Sequence, residues 1–396
     1  RRSATRRPAA AVWLACCAAV AAALLSAAPG PAAPAPGTAA PGAAAPGAPA
    51  ASSRFAPVPG QYGVEDMNLD WFDQDRHRPV PVRVYFPRRD PGPFPVVVFS
   101  SGLGAGRASF EFLGRHLASH GFISVHVQHL GTDQQTFKTG GREGLIKAAR
   151  APQTGLTRLL DLVFALDQVA ALAASSPVLQ GRVDLKAVAV GGSNAGAWTA
   201  LSAAGLAIVG KDGEESSLPD PRVKAALLFG LPPVAGPQLE KLRFENVKVP
   251  CLYFTGAAGG GKAGGGQAGG GAARGGGKAG GATAGGAKAG GENDQQAAAR
   301  RVAFERISGV DQVLVTVVSA PAAAAGDKAG GAPSPPAGAI APERDAALAG
   351  PLKAISTAFL DAYLRHDAAA RGWLTGGGLA AWLGDRFRVE TRAGTH

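Results

Sequence analysis

Cysteine is scarce in this chain: three residues in 396, namely Cys16, Cys17 and Cys251. The first two lie in an N-terminal apolar run, so a chain that loses that run keeps Cys251 alone and has no internal disulfide. Histidine is absent from residue 130 to residue 365, which removes the commonest general base from a long central stretch of the chain. No group of His, Cys, Asp and Glu has ligand spacing, so a zinc enzyme has no support and neither a metal nor a cofactor is expected. Acidic residues are missing from two segments that hold Arg1, Arg2, Arg6 and Arg7, and Lys262, Arg274, Lys278 and Lys288. Without those eight cations the net charge falls from +11 to +3. That is ordinary for a soluble domain, and no nucleic-acid footprint remains.

Glycine and proline, by contrast, are abundant at 57 and 30 residues, too many for one compact fold unless they are concentrated. They are. Residues 29–60 form a Pro/Ala/Gly-rich linker. Residues 256–291 are built of Gly, Ala and a few polar or basic residues, and 319–342 of Ala, Pro and Gly; neither has the apolar side chains to pack. Ahead of the linker, Arg1 to Arg7 are a basic start and Ala9 to Ala28 are nearly all apolar. Residues 1–28 therefore read as a secretory signal peptide or, because the run is about long enough to span a bilayer, as an uncleaved N-terminal anchor. The chain is expected to be exported, secreted or periplasmic, or held at a membrane by this segment.

From about residue 61 to 390 the composition is globular, and strand and helix patterns alternate as in a mostly parallel sheet covered on both faces. Strands are expected at Val80–Phe86, Phe94–Ser100, Phe122–Val127, Val183–Val190, Val223–Phe229, Val249–Thr255 and Val313–Val318. A helix follows Gly102-Leu103-Gly104. A long amphipathic helix runs from about Thr154 to Ser175 with Leu159, Leu162, Leu166 and Val169 on its apolar face. Another helix follows residue 196 and continues through Leu206, and the last helices lie near Leu352–Arg365 and Leu379–Leu383. Both low-complexity segments follow a strand end directly, which attaches them to the carboxyl edge of the sheet, where open α/β folds bind ligands.

The junction Gly191-Gly192-Ser193-Asn194-Ala195-Gly196 carries the chemistry. A serine in a tight, glycine-flanked turn between strand and helix projects its hydroxyl above the sheet edge. Ser193 is the candidate nucleophile, with Ala195 in the last place of G-x-S-x-G; a plain helix cap is the alternative reading. Ser101-Gly102-Leu103-Gly104 follows a buried strand where an oxyanion loop would lie.

With these residues the sequence resembles the α/β-hydrolase superfamily, and within it the predicted dienelactone hydrolases related to plasma-type platelet-activating-factor acetylhydrolases. The likeness runs from about Tyr62 to Leu383, through Asp75-Arg76-His77-Arg78, Pro95 to Gly104, Leu117 to Phe122, Gly191 to Gly196 and Ala358 to Leu364. It implies a serine carboxylic-ester hydrolase with Ser193 as nucleophile, the backbone at Leu103 and Asn194 as oxyanion donors, and a small ester or lipid-like substrate. The chain departs from the family at Ser101 and Gly192, where histidine is common, and at the triad. The glycine tract begins where the family's aspartate is due, so Glu292 and Asp294 are the first acids available; a solvated helix start is the plainer reading of both. Gly326-Asp327-Lys328 stands where Gly-Asp-His is due, which makes Lys328 a stand-in base or a solvated lysine. His77, His116, His120 and His126 read as structural, His366 lies on a C-terminal helix, and His396 is the last residue. His129, at the end of a strand on the carboxyl edge, is the remaining candidate base. An incomplete triad leaves two readings: an esterase of weakened activity, or a non-catalytic protein that keeps the fold for binding or structure.

Overall fold

Phe94 to Ser100 carry no charge on either face of the strand they would form, so the segment needs cover above and below. In the computed structural model, which describes residues 55–88, 92–151, 153–210, 212–256, 298–318 and 346–395, it is β3 (Phe94–Ser100), buried along its whole length. In chain order the elements begin with β1 (Val64–Asp73), β2 (Arg78–Pro87), β3, α1 (Glu111–Ser119) and β4 (Ile123–Val127). Next come α2 (Gln134–Ala149), α3 (Thr154–Ser175), β5 (Val183–Ser193), α4 (Ala195–Ala203), β6 (Ala207–Val209) and β7 (Glu215–Ser216). The chain continues through β8 (Val223–Phe229), α5 (Pro237–Glu240), β9 (Leu242–Arg243), β10 (Cys251–Gly256), α6 (described over 298–306) and β11 (Gln312–Val317). It closes with α7 (Ala346–Leu364), α8 (Ala368–Thr375), α9 (Gly378–Leu383) and β12 (Phe387–Arg392).

Nine strands form one sheet in the order β1-β2-β4-β3-β5-β8-β10-β11-β12. The run from β4 to β11 is parallel, and β1, β2 and β12 flank it as antiparallel strands. Each face of the sheet has its own core. On one, Leu159, Leu162, Leu166 and Val169 of α3 pack with the valines of β2, β3 and β4, and α4 lies over β3, β5 and β8. On the other, Leu113 and Leu117 of α1 meet Ile355 and Phe359 of α7 over Phe99, Phe229 and Phe254. The mostly parallel, two-faced sheet expected from the sequence is the fold observed, that of the α/β-hydrolases.

The differences are local and have causes. The helix after residue 194 ends at Ala203, short of Leu206, because Gly205 turns the chain at φ 121° into β6. Residues 134–149 are helical although their pattern is weak, since Gly141 interrupts the helix with non-helical angles. β1 and β12 escaped the reading because their polar residues alternate in one-sided strands that pair antiparallel at the sheet's two margins. Among the described residues no helix is long and apolar enough to cross a membrane; residues 1–28 lie outside them, as do most of the linker and of the two low-complexity segments.

Phe359 is fully buried between α7 and the sheet. Phe359→Ala is expected to lower the unfolding free energy by about 3–5 kcal/mol through lost burial and the cavity left behind, measured by urea denaturation with an unchanged m-value.

Candidate functional site

The parallel strands end at one edge, and there β5 turns directly into α4. Ser193 is the last residue of β5, Ala195 the first of α4, and Asn194 alone makes the turn, with φ 54° and ψ −120°. Positive φ is strained for a side chain with a Cβ. Two close approaches force it: a Cβ on Gly192 would lie 2.1 Å from the Gly196 carbonyl oxygen, and one on Gly196 would lie 2.0 Å from that of Ser100. Gly192 and Gly196 are thus the two indispensable glycines, and the residue midway between them is Asn194.

Asn194 is held on both sides. Its N–H donates to the Phe229 carbonyl at 2.8 Å, and its side-chain Oδ1 accepts from the Ala195 N–H at 2.8 Å. Ser193 is half-buried and faces the neighbouring loop, where a Cβ on Gly102 would come within 3.3 Å of its hydroxyl oxygen. In that loop the Gly104 N–H donates to the Thr132 carbonyl at 2.8 Å. Ser101 is 3% exposed, and its hydroxyl has no partner among the described residues.

Beneath the loop lies a buried polar chain. The Ser100 hydroxyl donates to His129 Nε2 at 2.8 Å, and His129 Nδ1 donates to the Asp161 carboxylate at 3.1 Å. All three side chains are essentially inaccessible, at 0%, 1% and 0% exposure. Arg78 and Arg76 reach the same carboxylate at 2.8 and 2.7 Å. Arg158, one turn before Asp161 on α3, donates to the Ser101 carbonyl and to Thr132 Oγ1. Burial, with Arg158 close by, pushes the His129 imidazole down to about 4. Burial also works to raise the Asp161 carboxyl, but the hydrogen bonds from His129 and Arg78 outweigh it and hold it below the usual range. His129 is therefore neutral and Asp161 ionised, which fixes the tautomer with the proton on Nδ1.

Residues 54–247 match the chlorophyllase family model, a family of the α/β-hydrolases. No curated protein matches the chain. Strand order, helix placement and this match agree. The chain has the α/β-hydrolase fold, and over these residues it is similar to the chlorophyllases.

The α/β-hydrolase elbow carries its nucleophile at the strained residue of the strand-to-helix turn, flanked by glycines two places on either side. That residue is Asn194, in the frame Gly192-Ser193-Asn194-Ala195-Gly196. Ser193, the expected nucleophile, is the last strand residue, one position before Asn194. The Asn194 N–H, an expected oxyanion donor, is hydrogen-bonded to the Phe229 carbonyl. In this superfamily the N–H after the apex residue is an oxyanion donor, and here the Asn194 amide oxygen already occupies it. Leu103 does lie in the loop beside the elbow, and its N–H has no backbone acceptor among the described residues.

The proposed bases and acid fare differently. His129 is at the carboxyl edge, but both ring nitrogens are engaged, by Ser100 and Asp161, so it offers Ser193 no base. Asp161 and Arg158 were not foreseen; two charged residues on the apolar face of an otherwise regular helix were the available signal. Asp294, Glu292 and Lys328 lie outside the described residues. His366 stands in the turn between α7 and α8 at φ 56°, at the opposite end of the strands, and not on a helix as expected. Among the described residues no group of His, Cys, Asp and Glu could hold a metal ion.

Three histidines are depressed chiefly by burial: His126 and His129 to about 4 and His116 to about 3, from 6.5. Below pH 6.5 the unfolded chain binds protons that these rings refuse in the folded state, so stability is expected to fall as pH falls from about 6.5 to 4. Each ring contributes at most about 1.4 kcal/mol per pH unit. Urea midpoints across this range check the slope, and a flat profile would contradict it. At Gly196 a second test applies: Gly196→Ala is expected to lower stability by more than about 1 kcal/mol, since the added methyl meets the Ser100 carbonyl rather than a movable side chain.

Proposed function

We propose that this chain is a non-hydrolysing member of the α/β-hydrolase superfamily that binds a small ester or lipid-like molecule at the carboxyl edge of its sheet. One observation carries the reading: Asn194 stands at the apex of the elbow, with its own amide oxygen on the Ala195 N–H. A carboxamide is no acyl acceptor, and an occupied N–H cannot stabilise an oxyanion. A fold alone does not bring activity with it; the site decides. Nor is a general base within the described site free to act, because His129 serves Ser100. The likeness to the platelet-activating-factor acetylhydrolase and dienelactone hydrolase group, through Pro95 to Gly104 and Leu117 to Phe122, supports an ester-like ligand. In this reading residues 1–28 export the chain or anchor it to a membrane.

A second reading, acyl hydrolysis by Ser193, has support in the chlorophyllase match and in the position of the Ser193 hydroxyl beside the Gly102 loop. Without base and acid it would retain only about 10³ to 10⁴-fold over water.

A fluorophosphonate probe and p-nitrophenyl butyrate separate the two. The expected result is an unlabelled wild-type chain whose ester turnover is unchanged by Ser193→Ala, together with saturable binding of a non-hydrolysable ether analogue. Labelling and turnover that both disappear in Ser193→Ala would overturn the proposal and establish the second reading.

A further inference from the structure

The opposite edge of the sheet holds a cavity of about 540 Å³ where β5, β8, β10 and β11 begin, roofed by the junction of α7 and α8. Its charged lining is Lys186, Lys224, Arg371, Asp311 and Asp367, with His366 at the turn. Both carboxylates are already used. Asp311 accepts from the Tyr363 hydroxyl at 2.9 Å, the Gly394 N–H at 2.8 Å and Arg371 at 2.6 Å. Asp367 caps α8 by accepting from the Ala370 N–H at 3.0 Å.

The two lysines have no such compensation. Lys224 Nζ donates only to the Pro221 carbonyl, at 2.9 Å, and neither ammonium is paired with a carboxylate among the described residues. They project from adjacent parallel strands, since β5 and β8 are neighbours in the sheet. Both line the cavity, so two ammonium groups without a carboxylate partner add positive potential to a concave site. The lining also includes the apolar Ala187, Pro250 and Leu364. The sheet edge thus offers point charges on flexible stems next to a patch suited to a few methylenes.

We propose that this cavity binds a small organic oxyanion, a carboxylate or phosphate monoester on a short apolar stem, with Lys186 and Lys224 holding the charged end. The site is independent of the elbow, which lies at the other end of the same strands.

Isothermal titration of the full chain with butyl phosphate and with butyrate, against sodium chloride at matched ionic strength, tests it. One saturable event of unit stoichiometry is expected with at least one of the two, and the tighter of them identifies the head group. The paired change Lys186→Gln and Lys224→Gln, at exposed positions, should weaken it about tenfold or more. Lys186→Arg with Lys224→Arg should retain it. Asn194→Gly, which suits the backbone at the elbow, should leave it unchanged. Heats that never saturate, equal binding by the glutamine pair, or loss of binding in Asn194→Gly would each overturn the proposal; the last would move the ligand to the elbow.

Discussion

The contact on which the carboxyl edge depends is a crossing of backbones. The end of β3 and the first turn of α4 approach so closely that Gly196 has no room for a methyl group over the Ser100 carbonyl, and Gly192 none beneath the Gly196 carbonyl. This crossing sets the angle at which the chain leaves the sheet, and it forces a positive φ on whatever residue stands at position 194. In a working hydrolase that strain holds a hydroxyl out for attack. Here an asparagine holds the place. Asn is among the few side chains that tolerate positive φ, because it bonds locally to the backbone, and its bond to the Ala195 N–H does so. The strained position is thus held by a side chain that stabilises the turn.

Beneath the crossing the core is unusually polar. Ser100, His129, Asp161 and Arg158 are all buried, and each is satisfied by its neighbours through hydrogen bonds that join β3, the loop after β4, and α3. A buried charge without partners is costly, whereas a fully connected set gives rigidity. Here the rigidity is delivered to the Ser101–Leu103 loop, whose first carbonyl Arg158 grips. The serine, histidine and aspartate resemble a catalytic relay in their hydrogen bonding, but no solvent reaches any of them. Their geometry fits a brace for the loop.

Much of the fold was legible because its signals are local. Six apolar residues in a row, Phe94 to Phe99, predict β3, and the spacing of Leu159, Leu162, Leu166 and Val169 predicts α3 with the bounds observed. The site was less legible, for two physical reasons. Gly191 to Gly196 accommodates two overlapping glycine frames, one centred on Ser193 and one on Asn194, and only the backbone crossing selects between them. His129 meets partners 29 and 32 residues away in sequence, and no periodicity records which serine a ring nitrogen will face. The charged residues on α3 were visible as anomalies, but their meaning required Arg78 and His129 to be brought to them by the sheet.

β12 comes after every other described strand along the chain, yet it pairs with β11 through six residues, from Phe387 to Arg392, and Arg301 of α6 grips its Glu390. During synthesis this strand emerges after β11. Until then β11 is an open parallel edge of Val313, Leu314, Val315 and Val317, a template for any other unpaired strand nearby. Once paired, β12 covers that margin and presents the exposed charges of Arg388 and Arg392 at the sheet's edge, which disfavour edge-to-edge association.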